Sequence, residues 1–360
     1  MTPRRELPPA SRSQTLVTGV YRSGTEFVTH CLNGHPALSA TMYRVNALRF
    51  VAGRYDLPAG PTAGPADREQ LERAVRDLAG RITARYGAEL DAAVVLELLE
   101  GYERPAHVCA IYDAAMRALY LGGGVEHWAE KNQLLWREVP LFLEGMAEGR
   151  AIIVLRDPRA VLASFKRFTY APPPAYLGAA FNCLDAMLHA DELTREHPGR
   201  VLVLRYEDAA REPLAEARRA WRFLGLADAH PLSPREAWKD AYGEPWRGNT
   251  TDEGTGENTD SGFDLERALA RGAELAPGEL ALVEGLCGGL MRRFGYATET
   301  RAEPRGADWE RALRLLAGNA QLEGFLEHWR ATGRGAQAFP TDPLDPKNWR
   351  RRGKEAFHGI

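Results

Sequence analysis

Close cysteine pairs are missing from this chain. Its four cysteines, Cys31, Cys109, Cys183 and Cys287, stand far apart with no C-x-x-C among them. That leaves neither a zinc-ligand spacing nor a disulfide framework, and the four read as reduced core thiols. Long apolar runs are missing as well. None reaches the roughly 18 residues of a membrane span, and the opening Met-Thr-Pro-Arg-Arg-Glu-Leu-Pro-Pro-Ala lacks the apolar stretch of a secretion signal. The expectation is a soluble, cytoplasmic protein with no membrane partner. An excess of charge is also missing: 46 Lys plus Arg face 49 Asp plus Glu, a net charge of −3. Nothing therefore points to nucleic acid, and any anion site has to be local. No internal repeats are found.

What the chain does have is apolar material for a real core, 44% of its 360 residues. The length admits two domains or one large α/β unit. Residues 1–13 are polar and carry prolines, which suggests a flexible arm. Residues 16–20 read as a short buried strand and residues 37–40 as a second. Between them Phe27, Val28, Cys31 and Leu32 recur at helical spacing, until Asn33-Gly34-His35-Pro36 stops the helix. Residues 56–66 form a proline and glycine linker. A helical block follows to residue 121, with Leu71, Val75, Leu78 and Ile82 on one face. Residues 56–121 thus read as a helical insertion, either a lid or a plain scaffold.

After Gly122-Gly123-Gly124, residues 125–132 run from a strand into a loop, and a helix is expected over 133–147. Residues 151–155, Ala-Ile-Ile-Val-Leu, form the continuous apolar run of a strand buried on both faces. Asp157 then caps a helix opened by Pro158, with Val161, Leu162, Phe165 and Phe168 on its buried face. A helix near 176–196 and a strand over 201–204 follow. Pro213 opens another helix, with Leu214, Ala217, Trp221 and Leu224 inward and Gly225 as its stop. Strands alternating with helices predict an α/β fold with a mostly parallel sheet, whose ligands lie at the carboxyl ends of the strands. Arg22, Lys131, Arg156 and Tyr206 would all emerge there. Residues 244–262 read as a long loop, of the kind that is usually functional or disordered. A helix near 277–294 precedes a C-terminal extension over 298–360, helical near 307–330. Its Trp309, Trp329 and Trp349 would pack either on the body or on a second copy in a homodimer.

The stretch that organises the chain is Gln14 to Cys31. Gly19 and Gly24 bracket a tight turn between strand and helix, where backbone N–H groups and a helix N-terminus converge on one spot suited to an anion. The nearest general pattern is the Walker A loop, but Thr25 follows the second glycine where lysine would stand, Glu26 takes the place of the Mg²⁺-binding hydroxyl, and the cation, Arg22, lies inside the loop. A second anion site is suggested by Arg156-Asp157-Pro158-Arg159 and Ser164, a cation at a strand tip with a hydroxyl two helical turns on. For each segment alone the plain alternatives stay open: a glycine turn for the first, a capped helix with surface arginines for the second.

Together, Tyr21-Arg22-Ser23-Gly24-Thr25 and Arg156-Asp-Pro-Arg-x4-Ser164 resemble the two signature segments of the sulfotransferases that use 3′-phosphoadenosine 5′-phosphosulfate (PAPS), a P-loop-type fold. Trp128-Ala-Glu130-Lys131, Leu204-Arg205-Tyr206-Glu207-Asp208 and Trp246-Arg247-Gly248-Asn249-Thr250 resemble further family segments, and all five occur in the family's order across residues 14–295. The resemblance implies that Arg22, with the amides of Ser23, Gly24 and Thr25, holds the 5′-phosphosulfate. It implies that Arg156 and Ser164 hold the 3′-phosphate and that Tyr206, Asn249 and Thr250 lie near the nucleotide; a further family cation falls here on Phe168, with Lys166 or Arg167 as its substitutes.

Sulfuryl transfer asks for in-line geometry and positive charge at the leaving oxygen, and here Lys131 and Arg22 are the candidates to stabilise the departing adenosine 3′,5′-bisphosphate (PAP). No metal is called for. Lys131 has a plain alternative as a solvated surface lysine. The chain departs from the family at the base: no carboxylate follows His35-Pro36 at once, and Gln133 stands where cytosolic members have histidine. Glu26, His30, Glu103, His107, His127 and Glu130 remain as candidates. Two other readings stay open, a P-loop kinase or NTPase and a nucleotide-binding protein without transfer activity. The acceptor expected is a hydroxyl of a small metabolite or carbohydrate, and the richness in Ala, Arg and Gly fits a bacterial origin.

Overall fold

The computed structural model describes residues 7–57, 65–168, 173–227, 274–299, 306–338 and 343–349. Five strands form one parallel sheet: β1 (Ser13–Gly19), β2 (Leu38–Met42), β3 (His127–Lys131), β4 (Gly149–Leu155) and β5 (Val201–Arg205), in the order β2-β3-β1-β4-β5. Parallel neighbours need crossover connections, and helices supply them. Helix α1 (Thr25–Leu32) joins β1 to β2. Between β2 and β3 lie α2 (Ala47–Phe50), α3 (Pro65–Tyr86), α4 (Ala92–Leu99) and α5 (Val108–Tyr120). Helix α6 (Val139–Gly145) leads to β4, and α7 (Pro158–Phe168) and α8 (Gly178–Glu196) lead to β5. After β5 come α9 (Tyr206–Arg211), α10 (Pro213–Phe223), α11 (Pro277–Arg293), α12 (Gly306–Leu316) and α13 (Ala320–Thr332).

Side chains alternate across a strand, so the sheet sorts the core into two layers. Leu16, Ala151, Ile153 and Leu155 belong to the larger one, while Val17, Ile152 and Val154 join Phe27, Val28, Leu204 and Trp221 in the smaller. Burial on both sides is why residues 151–155 are apolar at every position. Strand β3 breaks that pattern. His-Trp-Ala-Glu-Lys is buried throughout, so Glu130 and Lys131 are charges inside the protein and must find partners there.

Register brings the strand tips into one rim: Val17 and Met42 both pair with Lys131, and Leu155 pairs with Arg205. From β1 the chain runs to β2 at one edge, and after β3 it crosses to β4 and β5 on the other side. The loop after β1 therefore lies where the connections diverge, the position at which parallel α/β sheets open a crevice.

Several local expectations are corrected. The stretch 133–147 is helical only from Val139. Leu134 adopts φ 58, its amide donates to the Gly19 carbonyl at 3.1 Å, and the Leu135 amide donates to Thr18 Oγ1 at 3.0 Å. Those amides tie the chain to the end of β1 instead of building a helix, and Pro140 then sits in the first turn of α6. Leu214 is 41% exposed rather than inward, while Ala217, Ala220 and Trp221 carry the buried face of α10. Residues 8–13, expected in a flexible arm, are anchored: Arg117 donates to the carbonyls of Pro8 and Pro9, and Ser13 opens β1. The three tryptophans lie on the body of the same chain. Trp309 and Trp329 pack together with ring centroids 5.8 Å apart, and Trp349 meets Phe50 and Arg54. The expected loop over 244–262 and the Phe168 side chain lie outside the described residues.

Candidate functional site

The turn between β1 and α1 is shaped by packing. Arg22 (φ 63) and Gly24 (φ 85) adopt left-handed backbone. A Cβ at Gly24 would fall 2.0 Å from the Tyr206 ring, and one at Gly19 would fall 2.5 Å from the Val154 carbonyl. Both glycines are therefore required by their neighbours in the protein, before any ligand is considered. Helix α1 begins at Thr25 with no side-chain cap on its first amides, and the buried Ser23 hydroxyl has no hydrogen-bond partner among the described residues. An uncapped helix start beside an unsatisfied buried hydroxyl suits an anion with several acceptor oxygens.

Two arginines close on this loop. Arg22 Nε donates to Ser164 Oγ at 3.1 Å, and Arg156 Nη1 donates to the Arg22 carbonyl at 2.8 Å. Arg156 is only 6% exposed, and its guanidinium carbon lies 4.5 Å from the centroid of the Tyr206 ring. Arg22, Ser164, Arg156 and Tyr206, drawn from three separate segments, are thus one contiguous group. The hydroxyl and the carbonyl that receive these bonds are neutral, so a phosphate oxygen entering here would be the stronger acceptor.

On the other side of the loop, toward β3 and β2, stands Lys131. It is fully buried, not the solvated surface lysine of the plain alternative. Its Nζ donates to Glu26 Oε1 at 3.1 Å and to the Tyr43 hydroxyl. Burial, only partly offset by Glu26, brings the Lys131 pKa down from 10.5 to about 8. The Lys131 ammonium in turn holds the Glu26 carboxyl below its ordinary range.

Tyr43 is a site residue that sequence reasoning missed. The second strand was expected to end at residue 40, but β2 continues to Met42 and so puts Tyr43 at its tip. There Tyr43 adopts φ 60, its amide donates to the Lys131 carbonyl at 3.1 Å, and its own carbonyl accepts from the Tyr86 hydroxyl of α3 at 3.0 Å. Non-glycine residues in left-handed backbone are costly, and Arg22, Tyr43, Asn46 and Leu134 all lie just beyond the carboxyl ends of β1, β2 and β3.

The remaining candidate bases separate by position. Glu130 is a buried clamp that accepts from the amides of Val45 and Asn46, from the Tyr112 hydroxyl and from Asn132 Nδ2. His127 is bound to Ser13 Oγ at 2.7 Å, at the start of β3 and away from the rim. His107 caps α5, and Glu103 lies on the exposed surface. His30 is buried in the last turn of α1. Glu26 differs from all of these, because its side chain keeps 43% of its surface open while gripping Lys131. Lys166 pairs with Glu279 and Arg167 with Glu274, so both bind the region of α11. Asn249, Thr250 and the whole segment from Trp246 lie outside the described residues.

A parallel α/β sheet with an uncapped, arginine-flanked turn at its central strand is an arrangement suited to an anionic ligand at the strand tips. A model of the sulfotransferase family matches residues 15–230, from β1 to just beyond α10, and the chain belongs to that family. Mouse carbohydrate sulfotransferase 3 is 32% identical over 179 residues, 44% of this chain and 36% of that protein. The match thus spans little more than a third of the curated relative. Among solved structures, the sulfotransferase domain from the curacin biosynthetic pathway is 16% identical with a TM-score of 0.49, over 81% of this chain and 100% of that one. A mouse sulfotransferase complexed with PAP is 11% identical with a TM-score of 0.35, over 90% of this chain and 87% of that one.

Proposed function

We propose that this chain catalyses transfer of a sulfuryl group to a hydroxyl of a carbohydrate or small metabolite. PAPS, when bound, supplies the activated sulfuryl group and leaves as PAP. The observation that carries the reading is the loop of β1: an unsatisfied buried Ser23 hydroxyl on an uncapped helix start, with Arg22 and Arg156 converging on it. The residues fit a ligand with phosphates at two ends. Arg22 and the amides of Ser23, Gly24 and Thr25 suit the 5′ end, Arg156 and Ser164 the 3′ end, and the Tyr206 ring packs against the Arg156 guanidinium. Lys131, already charged and desolvated, is placed to steady negative charge developing on a leaving oxygen. Carbohydrate as the acceptor class draws on the name of the mouse relative.

The nucleoside triphosphatase reading loses ground at Glu26. Where a Walker loop places the hydroxyl that binds Mg²⁺, this chain places a carboxylate that binds its own lysine.

Calorimetric titration with PAP and with ATP tests the proposal. PAP should bind in preference to ATP, and Arg156→Ala should weaken PAP by roughly 10- to 100-fold, the range for a lost charge-assisted hydrogen bond. Equal affinity for ATP, or no effect of the substitution, would overturn it.

A further inference from the structure

The reading above leaves the acceptor's proton without a destination. A hydroxyl that attacks sulfur has to lose it, and a base within hydrogen-bond reach does this best. We infer that Glu26 is the catalytic base, and that Lys131 restrains it until the nucleotide draws the ammonium away. The inference rests on the sulfuryl-transfer reading.

Four observations carry it. Glu26 occupies the first turn of α1, next to the amides assigned to the phosphosulfate. Lys131 Nζ engages its Oε1, and among the described residues no hydrogen bond reaches Oε2. Its side chain is 43% exposed at the rim, open to an incoming hydroxyl, whereas the Lys131 side chain is 0% exposed. The other five candidates are a buried clamp, a helix cap, a strand-start contact, a surface carboxylate and a histidine sunk in the last turn of α1.

In the step itself the acceptor oxygen forms a bond to sulfur, and the bond from sulfur to the 5′-phosphate oxygen breaks with its electron pair leaving on the bisphosphate. The acceptor's proton passes to Glu26 Oε2. The restraint follows from the charges around the carboxylate: Lys131 from β3, Arg22 from the β1 loop and His30 from α1 itself hold it ionised, and the Tyr43 hydroxyl shares Lys131 with it. Once a bound nucleotide competes for Lys131 and Arg22, the carboxylate loses its cations and gains negative neighbours. Its affinity for a proton rises. Glu26 is a poor base in the empty site and a better one in the loaded site, which ties proton abstraction to the presence of the sulfuryl donor.

The test needs no acceptor. PAP binding is measured by calorimetry at mildly acid pH in buffers of different ionisation enthalpy, which counts the protons taken up on binding. The wild-type protein should take up more protons than Glu26→Gln, because the phosphates of PAP titrate in both but the carboxylate in one. With PAPS alone and water as acceptor, E26Q should lose roughly 10²- to 10⁴-fold in kcat, the span of a general base, while the KM for PAPS changes little. The acid limb of the kcat profile should vanish with it. Equal proton uptake in both proteins, kcat within about threefold, or a kcat loss that merely follows lost PAP affinity would each overturn the inference. Should E26Q fail to fold, Glu26→Asp serves: proton uptake persists, and kcat drops at least tenfold because the carboxylate is drawn back by one methylene. An unchanged kcat in E26D would overturn the assignment. Absence of PAP binding by the wild-type protein would instead overturn the sulfuryl-transfer reading itself.

Discussion

Lys131 shows how one residue's environment sets two opposite pH dependences. Because burial lowers its pKa to about 8, the free protein loses this positive charge near that pH rather than near 10.5. If the charge is needed at the leaving oxygen, kcat/KM for PAPS should fall above about pH 8, and Lys131→Arg should move that limb upward even where it lowers the rate. Stability runs the other way. Below pH 8 both folded and unfolded chains hold the proton, and the full cost of a buried cation is present. Between pH 8 and 10.5 the folded chain sheds the proton first, so this group's contribution to stability rises through that window. A rate that falls while the melting temperature does not would separate the two. At Gly24 the constraint is steric: Gly24→Ala combines a left-handed φ with a Cβ 2.0 Å from the Tyr206 ring. It should cost about 2–4 kcal/mol by denaturant titration, from backbone strain and overpacking together, and weaken PAP binding by displacing the ring that holds Arg156.

Among the elements, β3 carries the largest conflict between sequence and surroundings. A central strand with Glu130 and Lys131 in its last two positions survives because donors converge on the first and Glu26 with Tyr43 on the second. Removing the Glu130 carboxylate would strand several buried donors at about 1–3 kcal/mol each. Glu130→Ala is therefore expected to unfold the chain or leave it with little cooperative melting, whereas Glu26→Gln, which keeps an amide oxygen for the buried Lys131, should lower the melting temperature by less. The turn over Pro346–Trp349 fastens to the helical block between β2 and β3. Trp349 lies with the Arg54 guanidinium carbon 4.3 Å from its ring centroid and edge-on to Phe50, and Arg81 lies 3.6 Å from the centroid of the Phe50 ring. Trp349→Ala should cost about 1 kcal/mol in a cation–π contact and speed amide exchange in α2 and α3 while leaving β1 and β4 protected.

At the scale of the whole molecule, strand order separates two tasks. The tips of β4 and β5, with α7, gather Arg156, Ser164 and Tyr206 on one side of the central loop. The tips of β2 and β3 gather Tyr43 and Lys131 on the other, roofed by α3 through Tyr86. A donor nucleotide would then extend toward β5 and an acceptor approach from the side of β2. PAP at 100 times its dissociation constant should stabilise the fold by about 2.7 kcal/mol, seen as a raised melting temperature, and Arg156→Ala should remove about half of that shift or more at the same PAP concentration.

Much of this was legible in the chain itself. Periodicity marked the strands over 151–155 and 201–204 and the helices from Pro158 and Pro213, because a two-sided core demands unbroken apolar runs and proline tolerates few positions. Loop chemistry marked Arg22, Arg156 and Ser164, each in a segment whose glycine or proline would be out of place in a plain strand or helix, while Lys131 stood out through its place at a strand end and the family resemblance. Contact across the chain was another matter. That Arg22 reaches Ser164 depends on the pairing of β1 with β4, and that Lys131 is buried against Glu26 and that Tyr43 completes the site depend on registry between β1, β2 and β3. Residues 26, 43 and 131 have no shared pattern in one dimension, and only the closing of a parallel sheet brings them within hydrogen-bond reach. Local sequence therefore determined which elements form and where the glycine and proline turns at the strand tips lie. The tertiary structure alone decided which charges neutralise one another, because that depends on distance and burial, and neither is a property of neighbouring residues.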